Sequence, residues 1–218
     1  MYGRSQDGRE LNFEASGALE SASLVMRDRE TDSWWSLMGS RAIGGELDGQ
    51  KLEELPVSEK TQWSDWVSRY PETLVLSVDG VEHVENSPYD NYFGDDTRTF
   101  RSIEVEDDRL PPKQPIYSFW YGDRPIAVSH EFVEGGGILP IPDSGDVLVV
   151  WREPGVSFYA SSRAVLLDAD TSAGYASAAA LFAAFDAGEL GTARAPGGFD
   201  TFWYTWVLVN PGTEILSR

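Results

Sequence analysis

Short runs rich in β-branched and aromatic residues, set between Gly, Asp, Pro and Ser, dominate the chain. They are ELNFE (10–14), SASLVMRD (21–28), SWWSLM (33–38), TLVLSV (73–78), IYSFWYG (116–122), PIAVSH (125–130) and DVLVVW (146–151). Runs of this length bounded by turn residues predict strands. A different period appears in SAGYASAAALFAAFDA (172–187), where alanine dominates and Tyr175, Phe182 and Phe185 fall near one face. That stretch predicts the one longer helix, with Gly188 placed to end it. A shorter helix is predicted after Thr61 as its cap, because Trp63, Trp66, Val67 and Tyr70 follow the i, i+3, i+4, i+7 spacing before Pro71 stops it.

The same unit occurs twice. WSDWVSRYPETLVLS (63–77) and WYTWVLVNPGTEILS (203–217) match at both tryptophans, then at Val, Pro, Thr, Leu and Ser, with a constant offset. Asp200 or Thr201 would cap the second copy, whose stripe is Trp203, Trp206 and Val207. Such a match points to a duplication, and its tryptophans read as core anchors holding a helix on a sheet. The expected fold class is mostly β (α+β): two β-rich lobes from an internal duplication, with a few short helices. Residues 1–78 form the first lobe, 79–115 an acidic, proline-dotted crossover containing PYDNYF (88–93), and 116–218 the second, diverged lobe.

Charge sharpens this picture. The 218 residues carry 36 acids against 17 bases, a formal net charge of −19, with lysine only at positions 51, 60 and 113. Self-repulsion on that scale is tolerable where salt shortens the Debye length to about 3 Å at 1 M. A salt-loving source is therefore expected. Nucleic acid is an unfavourable partner because no basic patch meets phosphates. Cysteine is absent, which excludes disulfides and thiolate chemistry in this chain. No apolar run reaches the length of a membrane span, and the polar N-terminus lacks the apolar core of a secretory signal. As written, the chain reads as cytoplasmic.

Candidate chemistry is sparse. In DRETDSWW (28–35), Asp28 and Thr31 are residues that bond turn amides, and Trp34 and Trp35 must alternate across a strand. A hairpin turn accounts for most of that stretch; an acid/base pair of Asp28 and Glu30, with Arg29 as anion clamp, is the reactive alternative. His83 and His130 each lie near acids, but no metal-ligand spacing surrounds them. The glycines at 135–137 do not make a phosphate loop, since two prolines follow and no helix can open there. No metal or cofactor is expected.

The stretches GRELNFEASGALESASLVMRDRETDSWW (8–35), GSRAIGGELDGQKLEELP (39–56), W-x-x-W and P-x-T-x-x-L-S resemble the uncharacterised prokaryotic family catalogued as domain of unknown function 3179. PYDNYF, RLPPK (109–113), DVLVVWREPG (146–155) and FWYTW (202–206) extend the likeness. The resemblance implies mostly β domains without an established activity, many of them exported or lipid-anchored. Members usually carry a Cys-Pro-Leu-type segment just before the position where this chain starts. An upstream start would make the protein extracytoplasmic and restore that cysteine. Two function classes stay open beside a purely structural role. A non-catalytic module would bind a small molecule or glycan through Trp35, Tyr89, Tyr92 and Trp120, with Asp28, Arg29 and Glu30 orienting it. A hydrolase or metal-dependent enzyme would instead bring the carboxylates of Asp28 and Glu30 against acids or His130 of the other lobe at the cleft. Carboxylates and a histidine around one cavity would favour the enzyme, and aromatics around a neutral groove the binder. The oligomeric state is not specified by these residues.

Overall fold

Turn chemistry sets the pairing of the N-terminal strands in this computed structural model, which describes residues 2–55, 61–75, 90–154 and 160–217. Strands β1 (Ser5–Gln6) and β2 (Arg9–Glu10) make a small hairpin, closed at Asp7 and Gly8, both with positive φ. Leu11 then leaves the strand to be fully buried. Strands β3 (Phe13–Glu20), β4 (Ser23–Asp28), β5 (Trp34–Ser36) and β6 (Arg41–Gly44) follow as an antiparallel sheet in that order. Ser21 and Ala22, at φ 46° and 67°, form the tight left-handed turn between β3 and β4, which shortens the run expected over 21–28. The pleat separates the two tryptophans: Trp35 is fully buried with Leu11, Ala42 and Leu52, while Trp34 is 40% exposed.

Residues 63–69 form helix α1 (Trp63–Arg69), and the short α2 (Asp90–Phe93) follows. Thr61 does not cap α1; Gln62 stands at that position without a side-chain bond. Residues 73–75 are not a strand. Residues 76–78 of the expected strand, and His83 and Tyr89, lie outside the described residues.

The rest of the chain is layered. Strands β7 (Pro115–Tyr121) and β8 (Arg124–Ser129) form a hairpin through Gly122 and Asp123, with Gly122 at φ 63°. Helix α3 (His130–Val133) leads to β9 (Gly137–Pro140), β10 (Asp146–Trp151) and β11 (Arg163–Asp168), a second antiparallel sheet. Helices α4 (Ala169–Ser172) and α5 (Ala178–Asp186) come next, then β12 (Phe199–Phe202), α6 (Trp203–Val207) and β13 (Glu214–Leu216). Strand order β12-β7-β8-β13 makes the third sheet, with β13 parallel to β8.

Period-two alternation explains the stacking. Tyr117, Phe119, Ile126 and Val128 face Leu139, Leu148, Val150 and Leu166 of the neighbouring sheet. On the outer sides, Ile116 and Ala127 meet Trp203 and Trp206 of α6, while Val149 and Leu167 meet Leu181 and Phe182 of α5. The layers run α6, sheet, sheet, α5. Two capping expectations fail here. Asp200 and Thr201 do not cap α6; Phe202 occupies the cap position and Asp200 bonds elsewhere. The long helix expected over 172–187 is shortened to α5: residues 173–177 are not helical, and Ser177 caps α5, accepting from Ala180 N at 3.2 Å, while α4, capped by Asp168, ends at Ser172. Gly188 does end α5, at φ 74°. Among the described residues no helix is long and apolar enough to cross a membrane.

Candidate functional site

The turn in DRETDSWW is closed on itself. Asp28, with no exposed surface, accepts bonds from Thr31 N at 2.6 Å, Thr31 Oγ1 at 2.8 Å and Trp35 Nε1 at 2.7 Å. Burial would raise its pKa, but the bonds from Trp35 and Thr31 outweigh that and hold it below the usual carboxylate range. Ser33 Oγ, bonded to Thr31 Oγ1, accepts from Leu47 N at 3.0 Å and so ties the turn to the next hairpin. Glu30 takes both the side-chain and backbone N–H of Asn12 at 2.7 Å, which lowers its pKa. Arg29 pairs with Glu14 at 2.8 Å. Each charged or hydroxyl side chain of the motif therefore has a partner between Asn12 and Leu47.

The other sequence-chosen residues are dispersed. Tyr92 meets Tyr204, hydroxyl to hydroxyl at 2.7 Å, and Lys113 Nζ lies 4.2 Å from the Tyr92 ring centre. Trp120 packs against Trp206, ring centres 6.0 Å apart. His130 sits at the start of α3, far along the chain from Asp28, and donates from Nε2 to Asp200 Oδ1 at 2.7 Å. Of the chosen residues among those described, Trp120 alone lines either of the two cavities described next.

Those cavities lie where the first sheet meets the layered body, on either side of a strap at residues 195–198. Glu54 holds the strap: its Oε2 accepts from Gly198 N while its Oε1 accepts from Ser40 Oγ at 2.9 Å. Tyr117 OH donates to Gly197 O at 2.5 Å. Two glycines are required for this approach. A Cβ on Gly198 (φ 102°) would lie 2.3 Å from Ser118 O, and one on Gly197 (φ 74°) 2.5 Å from Glu54 Oε2.

The larger cavity, ≈ 1230 Å³, is walled by Leu37, Tyr117, Trp151, Phe182, Phe185 and Phe199, among others. The smaller, ≈ 460 Å³, holds Arg41, Lys51, Trp120 and Asp123, and shares Glu54 and Gly197 with the first. At the larger cavity's floor, buried Asp200 accepts from Ser162 N at 2.7 Å and Ser162 Oγ at 2.6 Å as well as from His130, with the buried Arg152 guanidinium at 3.7 Å. Burial would raise the Asp200 pKa, yet the bonds from His130 and Ser162 bring it below the ordinary value. Burial in turn lowers the pKa of Arg152, against the attraction of Asp200. Among the described residues no cluster of histidine and carboxylates could hold a metal ion.

Comparison with known proteins decides the lineage: the family model described as protein of unknown function, DUF3179, matches residues 1–213. The chain belongs to this family. No curated protein matches it, and no solved structure does. For this DUF3179 member the arrangement of residues in the cleft is accordingly the ground for any functional reading.

Sequence reading did not single out Glu54, Tyr117, Ser162, Gly197 or Gly198, because their contacts cross 38 to 144 positions. The dipeptide Gly197-Gly198 beside Pro196 was the available local signal of a close backbone approach.

Proposed function

We propose that the protein is a non-catalytic binding module that takes a small molecule in the cleft between its first sheet and its layered body. The observation that carries this is the character of the larger cavity. Aromatic side chains line it, and its two buried or half-buried carboxylates, Glu54 and Asp200, already accept hydrogen bonds from the protein. Concave, largely apolar sites with a few placed polar groups are the usual form of small-molecule sites. The enzyme alternative needs Asp28, Glu30 and a histidine around one cavity; among the described residues His130 bonds Asp200, and Asp28 and Glu30 bond within their own turn region.

The test is a screen of ring-containing small molecules by thermal shift on the full chain and on a Leu37→Trp variant that fills the larger cavity. Compounds that raise the melting temperature of the parent should lose that effect in the variant. Equal shifts in both proteins would place binding elsewhere and sink the proposal.

The acidic surface supports a second proposal, that the protein works in high salt. Its melting temperature should fall as salt drops below about 1 M; a value indifferent to salt would overturn that reading.

A further inference from the structure

The smaller cavity has a chemistry of its own. Arg41 opens β6 and forms an antiparallel bridge with Lys51 across the hairpin. Directly opposed residues in an antiparallel pair project on the same face, about 4.5–5.5 Å apart at Cβ. Two cations so placed repel each other, and the arrangement is notable in a chain with three lysines and a net charge of −19. Lys51 is paired with Asp123 at the hairpin tip, at 2.5 Å. Arg41 has no ion-pair partner among the described residues. Glu54, the other acid here, has both oxygens turned to Ser40 and Gly198. The charge left facing the cavity is thus the Arg41 guanidinium.

Trp120 supplies the second half of a recognition surface. It stands in β7 one hairpin turn from Asp123, lines the same cavity, and is held from behind by the buried Trp206. An indole wall accepts the flat face of a ring, and a guanidinium binds a carboxylate or phosphate through paired N–H donors. The volume, ≈ 460 Å³, accommodates a single substituted ring.

From this juxtaposition we propose that the smaller cavity binds a compact ring compound bearing one carboxylate or phosphate. The ring rests on Trp120 and the anion meets Arg41, beside the Lys51–Asp123 pair. This rests on the small-molecule reading of the cleft and specifies the ligand class of one of its cavities. The protein's overall negative charge opposes anions at a distance, so discrimination here comes from contact and sharpens as salt screens the long-range repulsion.

The test follows the tryptophan indole N–H signals of the ¹⁵N-labelled full chain, with the Trp120 signal assigned through a Trp120→Phe variant. Matched probes are glucuronate against glucose, benzoate against benzyl alcohol, and glucose 6-phosphate, all at one salt concentration. The expected result is that an anionic probe moves the Trp120 signal and binds about tenfold or more tightly than its neutral partner, as a charged hydrogen bond implies. Arg41→Gln should remove that preference while leaving the other indole signals in place, which shows the fold intact. Three results would overturn the inference: equal binding of neutral and anionic partners, unchanged preference in Arg41→Gln, or a Trp120 signal that no probe moves. Perturbation confined to the Trp151 signal, in the larger cavity, would defeat this inference while sparing the cleft as a small-molecule site. Perturbation of no signal at all would count against both.

Discussion

The two W-x-x-W-V segments share their tryptophan spacing and differ in what they touch. In the first, Trp63 is 53% exposed; Trp66 packs at 4.5 Å on Tyr70 of its own unit and donates from Nε1 to Thr73 Oγ1 at 2.9 Å. In the second, Trp203 and Trp206 are fully buried against Ile116 and Ala127, and Phe199 stands edge-on to Trp206 at 5.8 Å. The later residues diverge in step. Residues 73–75 form no strand, whereas Glu214–Leu216 is β13, paired in parallel with β8. The amphipathic spacing specifies a helix with an apolar stripe in both places; a neighbouring sheet decides whether that stripe becomes core.

Substitutions should widen this contrast in a fixed order. Trp206→Ala should destabilise the protein by about 3–5 kcal/mol, as expected for removing a fully buried large aromatic, measured by denaturant unfolding. Asp200→Ala, on the strand that leads into the second unit, should approach that effect, because it strips the buried Arg152 and His130 of their shared carboxylate. Acid should reveal the same group. A folded-state pKa below the unfolded one contributes stability that is present above the unfolded value near about 4 and is lost as pH falls through the folded value. An Asp200→Asn variant should therefore show a flatter decline of stability with acid than the parent, and an identical slope would contradict the assignment.

Smaller effects should separate the threonines. Thr213→Val removes a fully buried hydroxyl that donates to Asn210 O at 2.6 Å and should cost about 1 kcal/mol. Thr73→Val, in the exposed unit, should cost less. Trp63→Ala should stay within about 0.5 kcal/mol, like other exposed substitutions. A large loss at Trp63, rivalling that at Trp206, would mean that the first unit is also covered in solution.

Local pattern revealed the mostly β character, the positions of β4, β5, β7, β8 and β10 and the turn at Asp28, whose role follows from residues within eight positions of one another. It could not reveal the layers. Whether Ile116 faces α6 while Tyr117 faces β10 depends on which sheet lies opposite, and alternation alone leaves that open. The helix over 172–187 shows a related failure. Alanine content favoured a start near residue 172, but Ser177 offered a cap and the helix begins only after it. Strands β1, β6, β9, β11 and β12 went unread: four of them are only two to four residues long, and RAVLLD, as long as β10, was passed over although its composition suits a strand. The cleft was legible least of all. Its strap joins Glu54 to Gly198, and Asp200 gathers His130 and Ser162, through contacts that only the folded chain creates.

The most direct test of the cleft as the working site is a crystal structure of the full chain soaked with a library of small ring compounds. The account predicts bound fragments against Tyr117, Phe182 and Phe185 or against Trp120, beside the strap at residues 195–198. Fragments gathered at the Asp28–Trp35 turn, with the cleft holding none, would contradict it.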